Sequence, residues 1–184
     1  MTLTLTRPPE LKGQRLLLRP ACVTDLWERL AIGEDPEFSR LLGDLFKDVQ
    51  QWYAAMMSDP YGWVIEYDDY LVGYARLYRV SLCRRDARLA IGLFQRENRG
   101  KGLGTEATLL VLDYAFGKMA LDRIELKVLR SNAIAIACYE KCGFQQESRP
   151  RRKGGNDVIW MGIDRERHLR LSRVSTVEAQ TTAC

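Results

Sequence analysis

The segment Glu97-Asn98-Arg99-Gly100-Lys101-Gly102-Leu103-Gly104-Thr105-Glu106 carries three glycines at alternate positions, with the cations Arg99 and Lys101 among them. Glycine reaches positive φ freely and lets another molecule approach the main chain. Apolar residues then recur at helical spacing through Leu103, Ala107, Leu110, Val111, Tyr114 and Ala115, so the loop runs straight into a helix extending to Lys118. Successive N–H groups at the positive end of a helix dipole make a hollow for an anion, and the flanking cations suit a diphosphate.

A second constellation falls on a shorter helix, capped by Ser131 or Asn132 and running to Lys141, with Gly143 placed to end it in a left-handed conformation. Asn132 and Tyr139 are seven residues apart. At ~100° and ~1.5 Å per residue they lie within about 20° of each other and roughly 10 Å apart along the axis, on one face. Taken singly, Asn132 also reads as an N-cap and Tyr139 as a core aromatic.

Three kinds of phosphate cradle can be compared with the glycine loop. A P-loop needs GxxxxGK followed by Ser or Thr, which is absent. A dinucleotide fingerprint needs GxGxxG after a βαβ strand, whereas here the glycines are Gly100, Gly102 and Gly104 and the strand before them belongs to a meander. The third pattern, Arg/Gln-x-x-Gly-x-Gly/Ala, is met by Arg99-Gly100-Lys101-Gly102-Leu103-Gly104. Downstream, Asn132 to Phe144 fits N-x-x-A-x-x-x-Y-E-K-x-G-F. With both motifs in order and a strand between them, the sequence resembles the GNAT superfamily of acyl-CoA N-acetyltransferases. The opening Arg15-Leu16-Leu17-Leu18-Arg19-Pro20 resembles the branch that contains the ribosomal-protein N-terminal acetyltransferases (RimJ/RimL-like). The likeness extends from about Gln14 to Asp164.

The resemblance implies an α/β (α+β) fold with a mixed, mainly antiparallel sheet of six to seven strands, a central splay and flanking helices. It implies acetyl-CoA as cosubstrate. The cofactor-binding residues would be Arg99, Gly100, Lys101, Gly102, Leu103, Gly104 and Thr105 around the diphosphate, with Leu93, Phe94, Asn132 and Tyr139 along the pantetheine arm. Tyr139 would then meet the departing thiolate, and a backbone N–H near Leu93 would hold the oxyanion. Gly92 would allow a bulge or a close approach, or be an ordinary strand glycine. An alkylammonium of pKa ~10 must lose a proton before it attacks, and peptide α-amines of pKa ~8 lose it more readily. Many relatives carry Glu in the strand pattern A-E-I-G, where this chain has Ala90. Asp86, on the same strand face as Ala90, and Glu66, from a neighbouring strand, are the candidate proton relays. Trp52-Tyr53 and Tyr61-Gly62-Trp63 lie where the family forms its acceptor groove, or are core. The acceptor is a primary amine: a protein N-terminus, or a small amine such as a polyamine or aminoglycoside. A homodimer is one assembly the resemblance allows. The alternative is a non-catalytic acyl-CoA-binding regulatory module that has lost its base.

The elements that must position these groups follow from pattern. Strands are expected at Arg15 to Arg19, Gly62 to Tyr67, Tyr70 to Val80 and Arg84 to Phe94, the last three as an antiparallel meander, and at Asp122 to Leu129. Helices are expected from Thr24 to Ile32 and from Asp48 to Met57, and a closing hairpin from Phe144 to Ser148 and Asp157 to Ile163. A single domain would end near Asp164. Beyond it the chain turns polar and reads as a mobile tail, with a short helical extension at Arg165 to Leu171.

Composition narrows the classes further. At 184 residues, 46% hydrophobic and 28% charged, the chain suits one domain with its own core and excludes global disorder or a coiled coil. No apolar stretch approaches the ~20 residues of a membrane span, and the first residues lack signal-peptide features, which points to the cytosol. Cys22, Cys83, Cys138, Cys142 and Cys184 are scattered, which fits reduced thiols. With only His168 beside them, no metal site is expected. A net charge of +4 does not demand nucleic acid. The basic run Arg149, Arg151, Arg152 and Lys153 reads as a solvated hairpin turn or a contact for an anionic partner.

Overall fold

The computed structural model describes residues 7–33, 35, 36, 46, 48–148 and 157–181, with side chains through Arg173. Its strands are β1 (Leu11–Lys12), β2 (Leu16–Arg19), β3 (Gly62–Tyr67), β4 (Tyr70–Ser81), β5 (Asp86–Leu93), β6 (Arg123–Leu129), β7 (Gln145–Glu147) and β8 (Val158–Asp164). The helices are α1 (Thr24–Ile32), α2 (Val49–Ser58), α3 (Leu103–Asp113), α4 (Ala133–Lys141) and α5 (Arg165–Thr181). One eight-stranded sheet runs in the order β1-β2-β3-β4-β5-β6-β8-β7. The expectation of six to seven strands falls short by β1, whose two residues are too few to show alternation in sequence. It pairs with β2 through a tight turn in which the Gly13 N–H donates to the Leu16 carbonyl at 2.8 Å.

The meander forms as expected. Asp68 and Asp69 both take positive φ, the geometry of the two-residue turn whose twist suits a β3–β4 hairpin, and aspartate tolerates it. Two cores flank the sheet. The larger packs Leu103, Ala107, Val111 and Leu112 of α3 on Leu18, Ile65, Leu77, Leu89, Ile124, Leu126 and Met161. The smaller packs Trp52 and Met56 of α2 on Val64, Leu71, Tyr74 and Phe94.

The feature that matters most for a ligand is where pairing stops. β5 and β6 are parallel and pair at Asp86↔Arg123, Ala87↔Ile124 and Arg88↔Glu125, and no further. β5 nevertheless continues to Leu93, held throughout by β4, and β6 to Leu129, held by β8. The sheet therefore opens into a wedge. The register shifts lie at Ile65/Glu66 and at Tyr78/Ser81, and Gly92 pairs with Tyr74 in unbroken register, so it forms no bulge.

The C-terminal helix differs from its sequence reading, for α5 continues to Thr181. His168 is 3% exposed, its Nε2 lies 2.7 Å from Asp113 Oδ1, and its ring packs on Phe116. Arg165 and Arg167 donate to the carbonyls of Leu121 (3.0 Å) and Gly143 (2.7 Å). Side chains that look polar in sequence thus satisfy carbonyls just before β6 and just after α4, which docks the first turns of α5 on the domain. The basic run at 149–153 lies outside the described residues.

Candidate active site

The glycine loop closes on α3 as its pattern requires. Gly100 and Gly102 take φ of +75° and +81°, and Gly102 is the N-cap of α3 without any side-chain cap. Glu106 is the first residue to donate back, to the Gly102 carbonyl at 3.0 Å. The N–H groups before it belong to the helix's first turn, which has no acceptors of its own. Leu103 buries its side chain in the core, so the loop offers main chain rather than side chains.

Glu106 fixes the loop from below. Its carboxylate accepts from the Arg15 N–H at 2.8 Å, the Arg15 Nε at 3.0 Å and the Leu16 N–H at 3.3 Å, while Arg15 Nη1 donates to the Lys101 carbonyl at 2.9 Å. Burial alone would push the Glu106 carboxyl up, but these hydrogen bonds outweigh it and hold the group below its ordinary range. Sequence reasoning missed this clasp. Its signal is an arginine heading the first strand and a glutamate in the first turn after the glycines.

Arg99 departs from expectation. Its guanidinium turns to Asp35 Oδ2 at 2.7 Å and to the carbonyls of Leu93 and Phe94 at 3.4 and 3.5 Å, so it secures the end of β5 instead of lining the hollow. Phe94 is likewise structural. It is 2% exposed, packs edge-on against Trp52 and donates its N–H to the Val72 carbonyl at 2.9 Å. Because successive residues of a strand face opposite ways, that bond turns the N–H groups of Leu93 and Ile91 toward the wedge, where β6 has stopped pairing. Lys101 is exposed beside the loop.

From the other wall, Asn132 caps α4, its Oδ1 accepting from the Ala135 N–H at 3.1 Å, which leaves its amide NH2 as a donor. Tyr139 is 8% exposed and rests on Phe144. Burial raises its phenol pKa, and the charges of Cys138, Cys142 and Tyr78 add to the effect. Tyr74 is raised in the same way, by burial first and by Tyr139 next, and its hydroxyl is buried with no partner among the described residues. Tyr74 and Tyr78 stand on the sheet face opposite α3, opposite Gly92 and Arg88 in register. Tyr139 belongs to the larger core on the α3 side of the sheet.

Thr105 joins the two helices. Its hydroxyl lies 3.3 Å from Cys138 Sγ, and the Cys142 thiol donates to its carbonyl at 3.7 Å. The neighbouring Cys142 side chain is the largest influence bringing the Cys138 thiol down to about 7, helped by Thr105 and Lys141 against the opposing effect of burial, while Cys142 is pushed up.

The two carboxylates expected to relay a proton each pair with an arginine. Asp86 begins β5 at the closed end of the wedge, paired with Arg84 at 3.3 Å. Four residues separate it from Ala90, about 13 Å along a strand. Glu66 lies on β3, two strands from β5, and holds Arg19 Nε at 2.7 Å in a network that also binds the fully buried Asp25. Of the aromatic stretches, Trp52 and Trp63 are core, and Tyr61 lines a cavity of about 410 Å³ beside β4. Among the described residues no group of three or more His, Cys, Asp or Glu could hold a metal ion, and no helix is long and apolar enough to cross a membrane.

The comparisons with known proteins agree with this geometry. The sequence profile of the acetyltransferase (GNAT) domain matches residues 15–145. A Bacillus subtilis protein named as an N-acetyltransferase, YjcK, is 30% identical over 165 residues, 82% of this chain and 91% of the relative. The spermidine N(1)-acetyltransferase of Escherichia coli K12 is 36% identical over 84 residues, 46% of this chain and 45% of its own. Among solved structures, Mycobacterium smegmatis RimJ in complex with CoA-disulfide superposes with a TM-score of 0.73 at 22% identity, covering 86% of this chain and 88% of that one. Spermidine N-acetyltransferase from Vibrio cholerae in complex with CoA and spermine gives 0.69 at 24%, over 85% and 99%. With the profile spanning most of the chain and the open sheet, glycine-capped helix and buried tyrosine all in place, this protein is a member of the GNAT acetyltransferase superfamily.

Proposed function

We propose that the chain moves an acetyl group from acetyl-CoA directly to a primary amine, within the wedge between β5 and β6. The observation that carries this reading is the end of pairing at Arg88↔Glu125 beside a helix capped by a left-handed glycine. The N–H groups at the start of α3 suit the diphosphate. Past that last pair, Ile91 and Leu93 present peptide groups that β6 does not pair, which need partners when water is displaced, and pantetheine amides supply them as an added strand would.

The thioester supplies the acetyl group when acetyl-CoA is bound. The Leu93 N–H faces the wedge and suits an oxyanion. Tyr139, its pKa raised, keeps its proton across the working range and offers it to the departing sulfur. With Asp86 and Glu66 committed to arginines, the reaction draws on amine already deprotonated in water, which favours acceptors of lower pKa. The intact Tyr139 argues against a non-catalytic module.

Titration calorimetry with acetyl-CoA, followed by thiol release over an amine panel, tests the reading. Saturable binding and amine-dependent release of one thiol per acetylated amine are expected. No binding overturns it. Binding without release on any amine favours the module instead.

A further inference from the structure

We infer that the cavity between the end of α2 and the second half of β4 is the acceptor pocket, and that it selects a small amine bearing a carboxylate, of amino-acid type, over a polyamine. This deepens the proposed acetyl transfer and rests on it. The cavity is about 410 Å³ and is lined by Ser58, Asp59 and Tyr61 on one side and Arg76, Tyr78 and Arg79 on the other. That volume is ample for an amino acid.

Position comes first. Arg76 and Tyr78 of β4 stand opposite Ala90 and Arg88 of β5, where β5 begins to part from β6. Tyr78 lines the cavity and stands beside Arg88, the last residue of β5 that pairs with β6, so the cavity adjoins the sheet where the wedge begins to open. It lies on β4 and α2, away from the glycine loop that follows β5, and so leaves the cofactor's path free.

Charge comes second. Asp59, its side chain 10% exposed, binds Arg76 Nη2 at 2.7 Å and accepts the Tyr61 N–H at 2.9 Å. Its carboxylate is thereby used in orienting Arg76. Arg76 Nε is buried and has no acceptor among the described residues, and the guanidinium stands 5.7 Å from the Tyr78 ring. Arg79 is exposed, and its φ of +52° marks the irregularity between Tyr78 and Ser81 that turns it out of the ladder. Residues held in the left-handed region without being glycine cluster at binding sites, and bulges re-aim side chains there. Two arginines against one carboxylate, itself engaged, leave the lining cationic. Such a lining repels a polycation and holds a carboxylate, with Arg79 and Arg76 at one end and the amine directed past Tyr78 to the wedge.

The test is steady-state acetylation of the common α-amino acids, each beside its α-amide, with spermidine as the polycation. Rates are compared per free amine over a pH series, because the amide lowers the amine pKa by itself. At least one amino acid is expected to exceed both its amide and spermidine tenfold in kcat/KM. Arg79→Asn, which tolerates the same backbone, is expected to raise its KM about tenfold with kcat nearly kept. Arg76→Lys is the second variant, read by the same split after its fold is checked by circular dichroism. Equal rates for acid and amide, or a preference for spermidine, with acetyl-CoA binding intact, overturn the inference and leave the acetyltransferase reading standing. Loss of acetyl-CoA binding by the unaltered protein overturns both.

Discussion

The two ends of β5 are built from different material. Beyond its C-terminal end, the hollow before α3 is made of main chain, and the side chains around it, Arg15, Arg99 and Glu106, brace it from outside. Beside its N-terminal half, the face carrying Arg76, Tyr78 and Arg88 is made of side chains whose charges and rings decide what it accepts. A main-chain site depends on φ and on absent Cβ atoms, so it leaves a signature in glycine spacing. A side-chain site depends on which residues meet across strands, so it leaves none. The same contrast separates a constant cosubstrate from a variable acceptor.

The sharpest break of that contrast is Gly102→Val. A β-branched residue at φ +81° costs about 1–2 kcal/mol, and a Cβ there would stand 3.3 Å from Arg15 Nη2 while crowding the hollow. Calorimetry is expected to show acetyl-CoA affinity falling on the order of 100-fold or more, with the acceptor end unchanged. Tyr139→Phe attacks the shared centre instead. Turnover is expected to fall on the order of 100-fold, the usual contribution of a positioned acid, with acetyl-CoA affinity kept. Unchanged turnover would remove the phenol from the mechanism.

Glu106→Ala tests the bracing. Loss of the Arg15 and Leu16 hydrogen bonds is expected to lower stability by about 1–2 kcal/mol in denaturant unfolding. Because the folded carboxyl lies below its ordinary 4.5, its contribution is whole above that value and is lost as pH falls through the folded one. The gap between wild type and variant should therefore narrow on acidification below 4.5 and stay constant above it. A gap that widened in acid would contradict the clasp.

Smaller still is the effect at Cys138. With its thiol at about 7, the rate of alkylation by iodoacetamide should rise to half its plateau near that pH. The sulfur lies 3.3 Å from Thr105 Oγ1, against the first turn of α3, so acetyl-CoA should slow the reaction severalfold. Peptide mapping by mass spectrometry reads both. The smallest change is expected for Asp86→Asn, within about twofold in turnover, since this carboxylate belongs to Arg84 at the closed end of the wedge. A large loss there would restore it as a proton relay.

Much of the architecture was legible because its causes are local. The Asp68-Asp69 turn, the alternation of Ile124, Leu126 and Val128 and the capped helix after Asn132 each follow from neighbours along the chain. The glycine loop was legible for the same reason, since positive φ is a property of single residues. Two side chains have remote partners that no local pattern announces. The Arg99 guanidinium meets Asp35, 64 residues away. His168 looked like part of a polar tail, yet it is buried against Asp113, 55 residues away.

The sequence by itself determined the fold family, the hollow at Gly100 to Thr105 and the pairing of Asn132 with Tyr139 on one helix, since backbone conformation and helical period are written in adjacent residues. Only the tertiary structure decided that β5 and β6 part after Arg88, that Asp86 and Glu66 pair with Arg84 and Arg19, and that Asp59 and Arg76 meet beside Tyr78. Those outcomes depend on strand register and on contacts between distant segments, and burial and electrostatics act on whatever the register brings together.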